Sequence, residues 1–288
     1  MTSRAPPYLL TPYLSPAAHP VGSLTLVTNV LSATSNWLVV RYLQSLLPAS
    51  TSRGTSEDVV PDDSTGENTA VVLVSFLRDF AFWNECAGKL GVDLTRHTRE
   101  KSFLFIDGLS HLFTPSPSPQ APSPPKPYRI LTSANLVDIQ RDVSAAVTSL
   151  SIAAGPGGAP KNVVLIIDQL DFLLAATEGS VAETQNMIFS LREKTHASIL
   201  TLAADSALLS SASTTLEKNH AAFSIALAHQ ADCVVSLRML DTGVAKGVSG
   251  VMLITRGGQD GNCVELEEHE YLYYISADGG TRVFERGQ

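Results

Sequence analysis

The chain has 288 residues, of which 44% are hydrophobic and 17% charged, and it carries a formal net charge of −8. That composition supports one or two packed domains and excludes a disordered chain. The acidic balance excludes a chain-wide electrostatic drive toward nucleic acid or an anionic membrane, leaving room only for a local basic patch.

The first stretch, residues 1–22, is rich in proline, lacks an apolar run of signal-peptide length, and reads as an N-terminal extension. No apolar run reaches the roughly 18 residues that span a bilayer, so a soluble protein is expected. A strand over Ser23–Thr28 leads into a helix predicted to be capped by Ser35, with Leu38, Tyr42 and Leu46 on one face and Pro48 as its stop. Residues 48–69 are rich in Ser, Thr, Gly and Asp and read as a flexible insertion. A strand over Ala70–Val74 follows. Ser75 is predicted to cap a helix whose buried stripe is Phe76, Phe80, Trp83, Ala87 and Leu90, stopped at Gly91.

A strand over Phe103–Ile106 ends in Asp107. Residues 114–127 hold seven prolines and read as a second insertion; a linker between two domains is the alternative. The pattern predicts a helix over Asn135–Ile152, an exposed loop over Gly155–Pro160, and a central strand over Val163–Ile167 running into Asp168. It continues with a helix over Val181–Thr195, a buried strand over Ser198–Ala203, a polar loop over Ser206–His220 and a short helix around Phe223–His229. A hairpin of Cys233–Met239 with Val251–Thr255 comes next, then a strand over Tyr271–Ser276 that can pair with Arg282–Glu285. Strand–helix alternation of one character on both sides of each insertion points to a single α/β domain over residues 23–288. It is a mostly parallel sheet between helices with antiparallel strands at the end.

Two apolar segments, FLFIDGLSHL and VVLIIDQLDFL, deliver Asp107 and Asp168 to the carboxyl ends of buried strands. That is where open α/β sheets place ligands and where a carboxylate holds the magnesium of a nucleotide. The alternative is a carboxylate that caps a helix or takes neighbouring N–H groups, as it is for Asp171 three residues on. Neither aspartate has a neighbouring Glu to act as general base. The phosphate cradle would lie between the first strand and the helix opening near Ser35, where the chain reads Asn29-Val30-Leu31-Ser32-Ala33-Thr34-Ser35-Asn36. A P-loop needs glycines so that backbone N–H groups can wrap phosphates, and a lysine to neutralise them. This stretch has neither, so no catalytic residue, cofactor or metal is expected.

Cys86, Cys233 and Cys263 form no CxxC pair, which favours a reduced, intracellular chain over a disulfide or metal framework. The histidines lack metal-ligand spacing, no GxSxG occurs, and the glycines at 155–158 precede a strand instead of following one. Glu265–Glu270 reads as a solvated acidic face. Basic residues are sparse: Arg96, Arg99 and Lys101 cluster after the aromatic helix, Lys218 and His220 sit in the polar loop, and Arg256 ends a strand before Gly257-Gly258. Ordinary surface charge accounts for all of these as well.

The succession of strand, phosphate-loop slot, helix, VVLIIDQLDFLL, SILTLAAD, and ALAHQADCVVSLRML hairpinned with GVMLITRGG resembles the RecA-like ATPases. Within that group, VVLVSFLRDFAFWNECAGKLGVDL and FLFIDGLSHLF, together with the missing phosphate loop, are similar to the family of Elongator complex subunit 6. The resemblance covers most of residues 20–285 outside the two insertions. It implies a non-catalytic subunit that joins two paralogous RecA-like subunits in a heterohexameric ring attached to the larger Elongator core, in the cytoplasm and also the nucleus. That ring binds transfer RNA and supports carboxymethyl-type modification of the wobble uridine, whose chemistry belongs to another subunit. By the same resemblance Asp107 and Asp168 are vestigial acidic positions, Lys218 and His220 lie in a loop facing RNA, and Arg256 lies at a subunit interface. An ATPase with a divergent phosphate site and a stand-alone adaptor that keeps only the fold are the competing expectations.

Overall fold

The structure is a computed structural model that describes residues 5–47, 68–112, 127–152, 159–177, 179–210, 213–240, 243, 245–258 and 266–286. The two expected insertions, apart from Asn68, Thr69 and Pro127, lie outside the described residues, as do most of the Gly155–Pro160 loop and Cys263.

In chain order the elements are α1 (Thr11–Leu14), flanked by single 3-10 turns, then β1 (Ser23–Asn29), α2 (Asn36–Leu46), β2 (Thr69–Ser75), α3 (Phe80–Lys89), α4 (Leu94–Arg99) and β3 (Phe103–Asp107). They continue with β4 (Arg129–Ile130), α5 (Leu136–Ser151), β5 (Asn162–Asp168), α6 (Phe172–Ala176), α7 (Val181–Arg192) and β6 (Ala197–Ala203). The last are α8 (Ser206–Leu209), α9 (Thr215–Gln230), β7 (Cys233–Arg238), β8 (Gly250–Arg256), β9 (His269–Ile275) and β10 (Thr281–Phe284). All ten strands form one sheet in the order β10-β9-β8-β7-β1-β6-β5-β2-β3-β4. From β7 to β4 every pair is parallel, whereas β8, β9 and β10 are added antiparallel.

The central strands are apolar on both faces because helices cover both sides. Alternate residues separate cleanly: Val71, Leu73, Val164 and Ile166 face the layer holding Leu38, Tyr42, Leu46 and Trp83, from α2 and α3. Ala70, Val72, Val74, Val163, Leu165 and Ile167 face α5, α7 and α9 through Ile139, Val143, Met187, Leu191, Phe223 and Leu227. The period of two in the strands therefore sets the two-sided core.

Three sequence expectations need correction. Ser75 does not cap a helix; it is the last residue of β2, and Asp79 caps α3 by accepting from the Phe82 N–H at 2.9 Å. Ser35 precedes α2, but its backbone is already helical and its side chain makes no capping bond. The polar loop expected over Ser206–His220 is instead α8 and the opening turns of a 16-residue α9, started by a reciprocal capping box between Thr214 and Glu217. The N-terminal extension packs on the core. Leu10, Tyr13 and Leu14 are buried against the α2 side of the core, worth about 1.5–3 kcal/mol for each large apolar side chain.

Candidate functional site at the carboxyl edge of the sheet

Pairing of β2 with both β3 and β5 puts Asp107, Ser75 and Asp168 in one register row at the carboxyl edge. Helices α2 and α7 lie on opposite faces of the sheet, so the chain changes face between β1 and β5, which flank β6. A crevice at such a switch point is the place where open α/β sheets take ligands.

Asp168 is fully buried. Its two oxygens accept from the hydroxyls of Ser75 at 2.8 Å and Thr201 at 3.2 Å. Each hydroxyl is itself an acceptor, Ser75 from the Arg78 N–H at 3.0 Å and Thr201 from the Gln169 N–H at 2.9 Å. Burial pushes the Asp168 carboxyl up to about 6, a rise opposed by the two hydroxyl bonds and by the Arg78 charge. Asp107 is buried as well. It accepts from the Leu109 and Ser110 N–H groups, both at 2.9 Å, and from the Ser110 hydroxyl at 2.6 Å. It thereby caps its own strand-to-loop turn, one of the two roles the sequence allows.

Gln169, for which the sequence pattern predicts no role, closes the crevice. Its φ of 56° turns β5 sharply at the edge, and its side-chain amide donates to the Asn29 side-chain oxygen at 3.1 Å. That bond spans from the end of β5 to the end of β1 across β6. The β1–α2 connection is tied down beside it: the Ala33 N–H donates to the Val30 carbonyl at 2.8 Å and the Leu31 N–H to Asp205 at 3.1 Å. Leu31 itself projects 84% exposed at its tip. The only visible signal for Gln169 in the sequence is its place directly after Asp168.

Of the remaining expected site residues, His220 is brought to this edge, against the end of β6, whereas Arg256 is not. His220 is buried within α9; a ring nitrogen lies 2.8 Å from the Ala203 carbonyl and the other 3.9 Å from Asp171. It does not face solvent, which corrects its expected place in an RNA-facing loop. The neighbouring carboxyl of Asp171 is raised by burial and lowered in part by His220. Lys218 is exposed, on the first turn of the same helix. Arg256 ends β8, which runs antiparallel to β7 and pairs with Cys233 at that strand's start. It therefore lies at the amino edge, opposite Asp168, and its guanidinium donates to the Leu266 carbonyl at 3.3 and 3.4 Å. Among the described residues no group of three or more His, Cys, Asp or Glu side chains is placed to hold a metal ion.

Comparison with solved structures shows the RecA-like fold. The chain is similar to a KaiC-like protein from the hyperthermophilic archaeon Pyrococcus horikoshii OT3, with a TM-score of 0.59 at 14% identity over 98% of both chains. No curated protein sequence matches. The model of the family Elongation complex protein 6 matches residues 66–277, the span that holds Ser75, Asp107, Asp168 and Gln169. On that match the chain belongs to the Elongation complex protein 6 family, a family of Elongator subunits.

Proposed function

We propose that the chain is a non-catalytic member of a heterohexameric ring built with two paralogous RecA-like Elongator subunits, and that this ring binds transfer RNA for wobble-uridine modification. The observation that carries the non-catalytic part is the crevice. The slot between β1 and α2 has neither glycine nor lysine, Asp168 has both oxygens engaged, and Gln169 bridges to Asn29. A nucleoside triphosphate brings about four negative charges, and the stretch Asn29–Asn36 supplies neither a glycine nest nor a lysine to meet them.

What supports assembly is the outer surface of the helical layer. Val137 of α5, Phe189 of α7 and Ile225 of α9 are all more than half exposed, although each helix buries its other face in the core. Contact with RNA rests on Lys218 alone within α9, and with a chain charge of −8 it is weak unless several subunits contribute. Arg256 at the amino edge is offered as an interface residue. No helix among the described residues is long and apolar enough to cross a membrane, which fits work in the cytoplasm and nucleus.

The test is co-expression with the two paralogous subunits, followed by mass measurement and a transfer-RNA binding assay. A ring of about six chains that binds RNA, with negligible ATP binding by this chain alone, is expected. A monomer or dimer in that mixture sinks the ring. ATP binding lost in Asp168→Ala supports an active, divergent ATPase instead.

A further inference from the structure

An acidic chain can meet nucleic acid only through a local basic patch, and the fold assembles one at the amino edge of the sheet, opposite Asp168. Strands β5, β2 and β3 are neighbours there. Lys161 directly precedes β5, Asn68 directly precedes β2, and Lys101 stands two residues before β3. Arg99, the last residue of α4, comes just before them. The sequence already groups Arg99 with Lys101. Lys161 lies 60 residues beyond Lys101 and joins them only because β2 pairs in parallel with both β5 and β3.

The Lys161 ammonium reaches across the start of β2 and donates to the Lys101 carbonyl at 2.9 Å, which uses one of its three donors. Beside it the Asn68 side-chain amide donates to the Pro160 carbonyl, also at 2.9 Å. Burial first, and the neighbouring Lys101 charge as well, lower the Lys161 ammonium below the ordinary lysine value, with Glu100 opposing. Glu100 is itself engaged by Arg96 at 2.7 Å. Arg99 and Lys101 are exposed, and neither side chain has an ion-pair partner among the described residues. Lys101 has a φ of 55°, in the left-handed turn that ends α4, where glycine is the unstrained residue. The fold therefore does not require a lysine there.

Like charges held this close repel one another, and a bound polyanion relieves that repulsion. Neighbouring strands lie about 4.8 Å apart, so Lys101 and Lys161 stand about 10 Å apart along the edge, on either side of β2. A row of that length suits a run of phosphates better than a single ion. Lysine is depleted at protein interfaces, whereas Lys and Arg make the sequence-independent contacts to nucleic-acid backbones. The composition of the patch therefore favours RNA over an acidic protein segment.

We propose that Arg99, Lys101 and Lys161 form a contact surface for the phosphate backbone of RNA. This surface rests on the transfer-RNA reading above and lies at the opposite edge of the sheet from Lys218, whose helix starts beside the end of β6.

Fluorescence anisotropy of labelled transfer RNA with the ring assembled from this chain and the two paralogous subunits, between about 50 and 200 mM salt, tests it. Arg99→Gln/Lys101→Gly removes the two exposed cations. Glycine suits the left-handed turn, so the melting temperature of the chain is expected to hold. RNA binding is expected to weaken about tenfold at about 100 mM salt, and the log–log salt slope to flatten by about 0.7–0.9 for each phosphate released. Lys246→Gln/Arg282→Gln removes the same charge from exposed positions toward the β10 end of the sheet and is expected to bind as the parent does. Parent-like binding and slope in the first variant, or equal weakening in both, overturns the proposal. Loss of a subunit from the first variant's assembly, read by mass, makes the patch a protein contact and also overturns it. A parent ring that binds no transfer RNA overturns the underlying reading instead, before any substitution is made.

Discussion

Replacing Asp168 by asparagine tests whether its carboxylate is retained for its charge or for its shape. The folded-state value of about 6 lies above the ordinary 3.8, so between those values the native state binds more protons than the unfolded chain. Stability from this residue is therefore complete below about pH 4 and falls as the pH rises through 6. At about 1.36 kcal/mol per pH unit the loss on reaching pH 7.5 is roughly 3 kcal/mol. The asparagine side chain would carry no charge, keep one oxygen for a hydroxyl, and present an amide to the other, since a hydroxyl can accept as well as donate. Asp168→Asn is expected to match the parent near pH 4 and exceed its stability by about 1–3 kcal/mol at pH 7.5. Asp168→Ala removes the acceptor from two buried hydroxyls and is expected to cost about 2–4 kcal/mol near pH 4, a cost that shrinks by up to the same roughly 3 kcal/mol at pH 7.5 because the titrating group is gone. Urea unfolding at pH 4.5 and 7.5, with linear extrapolation, reads both differences. An Asp168→Asn protein less stable than the parent by a pH-independent amount would refute the reasoning, because the charge would then be a net asset to the fold.

Gly257 stands where an added Cβ would overlap the Ala231 carbonyl, a backbone neighbour that cannot swing aside, so Gly257→Ala is expected to cost about 3 kcal/mol or more in thermal or urea unfolding. Parent-like stability would mean that the β7–β8 end is not packed as described. Leu14→Ala in the N-terminal segment should lower stability by about 2–5 kcal/mol, since that leucine is buried against α2; a change under about 0.5 kcal/mol would mean that the segment does not pack on the core. Lys218→Glu should leave the melting temperature unchanged. In the assembled ring it should weaken transfer-RNA binding and reduce the salt slope by about 0.7–0.9 for each phosphate no longer neutralised. Unaltered RNA binding would remove Lys218 from the interface.

Strands are legible because each is a short apolar run bounded by turn residues, and β5 is apolar enough to need cover on both faces. Element starts are less legible, and for definite reasons. Ser75 and Asp79 are both good caps; the choice between them is made by β2, which extends through Ser75 because it pairs on both sides. Helix α9 reads as too short because inward apolar residues begin only near Phe223, although Thr214 and Glu217 already have capping-box spacing. The proline-rich start conceals Leu10, Tyr13 and Leu14, whose burial depends on a surface supplied by α2 rather than on any local periodicity.

The same distinction separates what can and cannot be read at the carboxyl edge. A strand-terminal aspartate is visible in one dimension, and so is the lack of glycine and lysine in Asn29–Asn36. Whether the carboxylate is free to meet a ligand depends on what its neighbours in the sheet contribute, and those come from distant segments. Ser75 lies 93 residues from Asp168, Thr201 lies 33 residues away, and Asn29 meets Gln169 across 140. A nucleotide-binding edge needs such groups turned outward to phosphate and metal. Here each is turned to another side chain, and these bonds tie β1, β2, β5 and β6 together at that edge. In the ring proposed above, that sheet and the exposed outer faces of its helices are the surfaces against which neighbours would pack.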